Sequence, residues 1–598
     1  MKNIDLDISN FLGLYKSGHF DKAHIALQKI KKKYPLNPKM NKLILDLSSF
    51  EPHPQTQNKI KSEFDKNRFI SVINACGTLL NKNPYSIWLL HVIGLAFTNL
   101  EKYADAKIAF ERLLDLDRTN KKGLLGIANL YFKANQVKTA AKFLEESLKF
   151  NGEDEDVIID LALAQNLGQD QYKALDTIHN LLKKNPNNQR ALIVNAIIKN
   201  DLGDLKSAES SIVTILKSDN SNYHAMHILA AIHHDKGDDK NSEDLYRKII
   251  SSEAPLSIIA KSIYSLSNYA NISINDPIIK KIFSILNKEN LNSNIKSDLY
   301  FSLFNINHRN HNYDKAYTFL EMGNNLKRDH SLYDIKTVID YAEKIKMFFQ
   351  TNYKEILNLK LNLLSGATPI FIVGMPRSGT TLLENILAQK DSVSSLGELT
   401  YLEDSAKEAS SINEINSFFE TVNSNYFNKI KNHNVVTDYF VDKMPNNFKF
   451  IGLIAECFPK AKIIHMDRSP QAVCWSQYKT NFGSSGQDYS YDKELINKYY
   501  NMYSEIMKFW MHLYGNRIIN IKYEEMVDNP QRVLSNVFEK LGFEWEDSYL
   551  DYHKKKKRIR TASKEQANRP IYKGSSEEWL NYKDHLEEFV ELKRFYEN

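Results

Sequence analysis

The chain has 598 residues, 42% hydrophobic and 25% charged, which are ordinary globular values and predict several domains. Its 79 basic and 73 acidic residues leave a net charge of only +6, which makes no general case for a nucleic-acid surface but leaves a local basic site for an anionic ligand open. Three scattered cysteines without CxxC spacing and 17 histidines without HExxH-like clustering give neither a disulfide framework nor a metal site.

The first residues, MKNIDLDISNFLGLYKSG, have no uninterrupted apolar core and no cleavage site. No stretch approaches the roughly 20 apolar residues of a membrane helix. The expectation is a soluble cytoplasmic protein with reduced, buried thiols.

Between residues 87 and 255 the sequence repeats every 34 residues. Small residues recur at Gly94, Ala128, Ala162, Ala196 and Ala230, and again at Ala106, Ala140, Ala174, Ala208 and Ser242. A larger series is Phe110, Leu144, Ile178, Ile212 and Tyr246. Small positions twelve apart place close contacts on successive antiparallel helices, and the large residue fills the space between neighbouring pairs. Pro84 and Pro186 fall where second helices should end. A first unit is expected around Gly18 to Ala23, another second helix over 69–80, and an interruption over 50–57. This pattern resembles the tetratricopeptide repeat. It implies six or seven helical pairs stacked into a superhelix, with a groove suited to a peptide or protein partner; a purely structural role for the groove stays open. The array is expected over residues 1–256. Residues 257–365 lose the register but stay helical, and read as a connector.

From residue 366 the texture changes. Strands are expected at 370–373, 439–442, 461–465 and 518–522, separated by helices at 382–389, 448–457, 470–479, 495–514 and 530–541. Such alternation predicts an α/β domain over 366–598 with a central parallel sheet, binding its ligand at the carboxyl ends of the strands.

Four stretches at strand ends carry unusual chemistry. The first, GMPRSGTT at 374–381, spaces Gly374-x4-Gly379-Thr380-Thr381 like a P-loop, a cradle for a phosphate-like group. Thr380 stands where a nucleotide triphosphatase places its lysine, and Arg377 is the cation instead. The second has Glu398 beside Gly397, either a general base or an exposed glutamate. The third has Lys443 before Met444 and Pro445, either a cation over a transferring group or a surface lysine. In the fourth, Arg468 ends a strand and Ser476 lies about two turns into the helix after Pro470, so both can converge on one anion.

The PRSGTT loop with the Arg468 and Ser476 block resembles the sulfotransferases, and within them the tyrosylprotein sulfotransferases and the bacterial proteins that join them to tetratricopeptide repeats. Six blocks agree in order over roughly residues 366–585. The resemblance implies 3′-phosphoadenosine 5′-phosphosulfate (PAPS) as donor and no metal. It implies that Pro376, Arg377, Ser378, Gly379, Thr380 and Thr381 hold the 5′-phosphosulfate, that Arg468 and Ser476 bind the 3′-phosphate, and that Tyr523 lies near the nucleotide. A C-terminal segment with Ser563 and Arg569 is implied to fold over the donor, with Arg569 standing where animal members have lysine. Glu398, Lys443 and Arg377 are implied to be catalytic.

The expected reaction is sulfuryl transfer to a hydroxyl, in first place a protein tyrosine presented with help from the repeats. A glycan, lipid or small-molecule acceptor is the alternative, and an inactive transferase-like scaffold a third choice. An ATP-dependent kinase is disfavoured by the missing loop lysine. The basic run KKKKR at 554–558 is either solvated surface or a contact for an acidic acceptor.

Overall fold

The structure is a computed structural model describing residues 2–17, 19–34, 37–48, 51–483, 486–554 and 569–597. It divides into two compact units, one of residues 1–165 with 330–332 and one of 166–329 with 333–598.

Among the described residues, fifteen helices lie between residues 2 and 251. From residue 87 onward the repeat is written into caps and turns as well as core positions. Ser86, Asn120, Asp154, Asn188 and Asn222 each accept from the backbone N–H three residues on, satisfying an orphan donor at a helix start. Asn67, Glu101, Asn135, Gln169, Gly203 and Gly237 all take positive φ at the turn inside their repeat. Both series step by 34, so the same backbone path recurs unit by unit.

The small-residue series are buried for the expected reason. A Cβ at Gly94 would lie 2.8 Å from the Phe110 ring and one at Gly126 2.3 Å from it, so Phe110 fills the space that two glycines leave. Ala106, Ala140, Ala174, Ala208 and Ser242 are fully buried. The stretch expected to interrupt the array is a helix start, because Pro54 opens the helix Pro54–Asp65. Residues 18, 49 and 50 lie outside the described residues.

The connector is five helices, Leu256–Tyr269, Pro277–Leu286, Ser293–Arg309, Tyr313–Asp329 and Ile335–Ile356. Phe304 and Phe349 from it join the core of the C-terminal domain, packing edge-on against Trp475 and Trp510.

Among the described residues the sheet has five parallel strands: β1 (Thr368–Gly374), β2 (Val393–Ser395), β3 (Tyr439–Asp442), β4 (Lys462–Asp467) and β5 (Ile518–Lys522), in the order β2-β3-β1-β4-β5. β1 reads as a continuous apolar run because both its faces are covered. Ile370 and Ile372 face one core cluster with Leu383 and Ile464, while Phe371 and Val373 face another with Phe440 and Ile463. The chain leaves β1 toward β3 on one side and returns to β4 on the other. The carboxyl end of β1 is therefore the switch point where the sheet opens a crevice. The sequence reading missed β2, whose three residues are too short to carry an alternation signal. It also read 448–457 as one helix, whereas Pro445–Phe450 is a tighter 3₁₀ turn that leads into Ile451–Cys457.

Candidate active site

The crevice is floored by the turn after β1. Gly374 has φ +148, and a Cβ there would lie 2.6 Å from the Met466 carbonyl of β4, so only glycine lets the chain turn against its neighbour strand. Gly379 has φ +98, and its missing Cβ makes room for the Tyr523 ring, which would otherwise be 2.4 Å away. Between them Arg377 takes φ +73, a costly conformation for a long side chain. Helix Thr380–Leu387 starts directly after Gly379, so its first N–H groups favour an anion at the turn. Thr380 and Thr381 are buried in its first turn, and the buried Ser378 Oγ has no hydrogen-bond partner among the described residues.

Two guanidiniums meet over this turn. Arg377 Nε donates to Ser476 Oγ (3.0 Å). Arg468 Nη1 donates to the Arg377 carbonyl (2.8 Å), Nη2 to the Ser575 carbonyl (2.6 Å) and Nε to Ser576 Oγ (3.2 Å). The Arg468 guanidinium also sits 4.6 Å from the Tyr523 ring centroid, a cation–π distance, and Tyr523 OH pairs with Ser575 Oγ (2.9 Å). Burial, then the neighbouring Arg468 charge, lowers Arg377 to about 10, so it stays protonated at neutral pH while repelling its neighbour. Among the described residues no carboxylate lies within ion-pair distance of Arg468. Arg377, Arg468, Gly379, Thr381, Tyr523 and Tyr572 line one small cleft, with a cavity of about 40 Å³.

Just past the end of the helix Pro470–Tyr478, three residues after Ser476, comes Lys479, whose Nζ donates to Glu578, as does Trp475 Nε1 (3.0 Å). Burial works against the Glu578 charge, but the Lys479 ammonium, His308 and the hydrogen bonds from Lys479 and Trp475 together outweigh it and pull this carboxyl down to about 2.

The other side of the crevice carries carboxylates. Lys443, fully buried at the end of β3, donates to Glu398 Oε1 (2.6 Å), and Glu384 Oε2 lies 3.7 Å from the same ammonium. Glu384, from the helix after the turn, accepts from Ser395 Oγ (2.7 Å) and the Gly397 N–H (3.0 Å), which fixes the loop carrying Glu398. Lys443 N–H donates to the Gly397 carbonyl (2.9 Å), tying β3 to that loop. Burial pushes the Glu384 carboxyl up, and pushes Asp442, which accepts from Tyr426 OH (2.8 Å), up to about 8. The Glu398 side chain keeps 23% exposure where Lys443 has none, so the glutamate is the member of the pair that an incoming hydroxyl can reach.

The structure thus brings Arg377, Thr381, Arg468, Ser476 and Tyr523 together on one side, and Glu398 with Lys443 on the other. The Pro376 carbonyl accepts from Gln477 Nε2 (3.2 Å), which pins the turn to the helix after β4. Arg569 is exposed, with its carbonyl taking the Tyr552 hydroxyl (2.6 Å), and its neighbours Pro570 to Tyr572 line the cleft in its place. Ser563 and residues 555–558 of the basic run lie outside the described residues. Sequence reasoning missed Glu384, Ser575, Lys479 and Glu578. Glu384 had a faint signal, a charge inside the otherwise apolar helix TTLLENIL.

Among the described residues no group of side chains could hold a metal ion, and no helix is long and apolar enough to cross a membrane. Residues 369–547 match the sulfotransferase family, and residues 89–120 match the tetratricopeptide repeat. The chain carries a sulfotransferase domain beside a repeat array. An uncharacterized protein of Aquifex aeolicus is 29% identical over 53% of this chain and 44% of its own length. Protein-tyrosine sulfotransferase 1 of Danio rerio is 26% identical over 31% of this chain and 55% of its own length. The chain therefore spans about half the length of these curated relatives. A solved sulfotransferase domain from the curacin biosynthetic pathway is 21% identical, covering 37% of this chain and 92% of that one, with a TM-score of 0.27. A tetratricopeptide repeat protein from Parabacteroides merdae is 14% identical, covering 46% and 92%, with a TM-score of 0.32.

Proposed function

We propose that the protein is a PAPS-dependent sulfotransferase whose acceptor is a hydroxyl, in first place a protein tyrosine. The observation that carries this reading is the pair of buried guanidiniums, Arg377 and Arg468, converging on one cleft beside the glycine-bounded turn. A single phosphate needs one such cation and a helix start, whereas two mutually repelling arginines fit a ligand with two separate anionic groups. PAPS has that chemistry. The unpartnered Ser378 Oγ and the space kept open by Gly379 fit it too.

When bound, PAPS supplies the sulfuryl group: a bond forms from the acceptor oxygen to sulfur, the sulfur–oxygen bond to the 5′-phosphate breaks, and 3′-phosphoadenosine 5′-phosphate (PAP) leaves. The turn amides, Thr380, Thr381 and Arg377 hold the phosphosulfate end, and Arg468 with Ser476 holds the 3′-phosphate. Lys443 and Arg377 offset charge as it builds on the moving group. Glu398 takes the acceptor proton; a tyrosine hydroxyl, with a reference pKa of about 10, needs such a base at neutral pH. The repeat groove presents the polypeptide. The three cysteines are buried and free, which supports a reducing compartment such as the cytoplasm.

Calorimetry with PAP, ATP and adenosine 5′-monophosphate tests the donor, and labelled PAPS offered with acidic tyrosine peptides and with glycans tests the acceptor. Tight PAP binding without preference for ATP is expected, with label passing to the peptides. Preference for ATP would overturn the reading, and label on glycans alone would move the acceptor.

A further inference from the structure

The catalytic glutamate is touched from an unexpected direction. Gln169, in the turn between helices Glu155–Leu167 and Gln171–Lys184 of the repeat array, donates from Nε2 to Glu398 Oε2 (3.2 Å). Lys443 already holds Oε1, so the two carboxylate oxygens are fixed by two donors from two parts of the chain. The approach is anchored a few residues on. The Tyr172 ring packs edge-on against His433 with centroids 4.6 Å apart, and His433 Nε2 pairs with the hydroxyl of Tyr401, three residues beyond Glu398 (3.1 Å). Gln169, Tyr172, Tyr401 and Glu398 all belong to the same compact unit.

Resting on the sulfotransferase reading, we infer that Gln169 is a positioning residue for the reaction: the repeat array supplies one wall of the acceptor side and sets the orientation of the base. The chemistry favours this over a packing role. A carboxylate held at one oxygen by an ammonium can still swing its other oxygen. A neutral amide donor at that oxygen stops the swing without neutralising the charge that makes the group a base. Position 169 does not need glutamine for its fold. It has φ +70, and the equivalent positions one and two repeats later are Gly203 and Gly237, while Glu101 stands two repeats earlier. Asn135 stands one repeat earlier, so the turn accepts glycine, asparagine and glutamate, and the longer amide of glutamine is the feature specific to the repeat that meets Glu398.

The natural variation of the turn supplies clean variants. In the full chain, Gln169→Gly removes the donor while keeping the left-handed turn, Gln169→Glu keeps the shape but sets a like charge against Glu398, and Gln169→Asn keeps the amide one methylene short. Turnover would be followed as PAP released from PAPS with an acidic tyrosine peptide, beside PAP affinity by calorimetry and the melting temperature. The expected order of kcat is wild type, then Asn, then Gly, then Glu. Gly falls roughly tenfold, the scale of one hydrogen bond to a charged group. Glu falls on the order of a hundredfold through like-charge repulsion. PAP affinity stays within about twofold throughout, which separates positioning from donor binding. A packing role would leave Glu as good as Gln and would move the melting temperature instead. Wild-type rates for Gly and Glu, with Glu398→Ala inactive, would overturn the inference and leave the sulfotransferase reading standing. An inactive wild type, or an active Glu398→Ala, would overturn that reading and the inference with it.

Discussion

Arg468→Ala is the sharpest probe of the two-anion cleft. The guanidinium spends all three of its nitrogens locally, on the Arg377 and Ser575 carbonyls and on Ser576 Oγ, and sits 4.6 Å from the Tyr523 ring centroid. Among the described residues no carboxylate pairs with its charge, so its loss is felt by an anion. A hydrogen bond to a charged partner contributes about 1.5–3 kcal/mol, which corresponds to a roughly 10- to 150-fold rise in the Kd for PAP. The structural cost of the orphaned carbonyls falls equally on any nucleotide that enters. The decisive quantity is therefore the ratio of PAP to adenosine 5′-monophosphate affinity, measured by titration calorimetry on both proteins. That ratio should collapse in the variant, with the monophosphate affinity changed by less than about threefold. Arg468→Lys should fall between, since an ammonium keeps the charge but not the three-way fork. If both nucleotides weaken equally, or PAP keeps its advantage, Arg468 is a structural strut and the second anion site does not exist.

Three further outcomes follow from named contacts. Glu398→Ala should abolish turnover while PAP affinity stays near wild type, because Glu398 lies on the acceptor side with Lys443 and Gln169; equal loss of both in a calorimetry and turnover pair would remove its role as base. Gly379→Ala should cost about 2 kcal/mol or more in stability, read as a lower urea midpoint, and should weaken PAP as well, since the added methyl displaces the Tyr523 ring that carries Arg468. Asp442 titrates near 8 in the fold, above the roughly 3.9 of an unfolded aspartate. The folded state holds its proton more tightly, so this contribution to stability is complete below about pH 4 and is lost as pH rises through about 8. Melting curves between pH 5 and 9 should fall with pH in the wild type and flatten in Asp442→Asn; parallel curves would assign the slope to another group.

The legible parts of this chain are those where one residue type answers to one local demand. The 34-residue series worked because Phe110 must fill the space left by Gly94 and Gly126, a requirement that repeats with the unit. The glycine-bounded turn was legible because Gly374 and Gly379 each stand where any Cβ would collide, and a glycine under that constraint leaves a trace in the spacing. The acceptor side is different. Glu384 reaches across from one loop to hold another, and its only trace is a charge on an apolar helix face. Gln169 lies 229 residues from the carboxylate it meets, in a turn whose local geometry glycine would satisfy as well. No local rule selects it, because the demand on its side chain comes from the tertiary fold alone. Arg569 shows the reverse case. Its place in a motif suggested a phosphate contact, yet the side chain is exposed while the residues after it line the cleft.

The two sides of the crevice differ in charge in a way that, in the proposed reaction, separates donor from acceptor. On the donor side the low-pKa carboxylate of Glu578 pairs with Lys479, and Arg377 and Arg468 leave positive charge for an anion. On the acceptor side burial pushes Glu384 and Asp442 toward their neutral forms, so Lys443 and Glu398 remain as a balanced pair. An anionic donor is thus drawn to one wall and gains nothing from the other. A neutral hydroxyl meets at the second wall a carboxylate whose charge is already compensated, and can give up its proton without building a net negative charge next to the leaving phosphate. Lys443 serves both halves of that exchange. In the proposed reaction, as Glu398 accepts the proton, the ammonium loses its counter-ion and becomes free to offset the charge that transfer develops. Such a coupling needs Glu398 to stay in register with Lys443 throughout, which is the task that the amide of Gln169 is placed to perform.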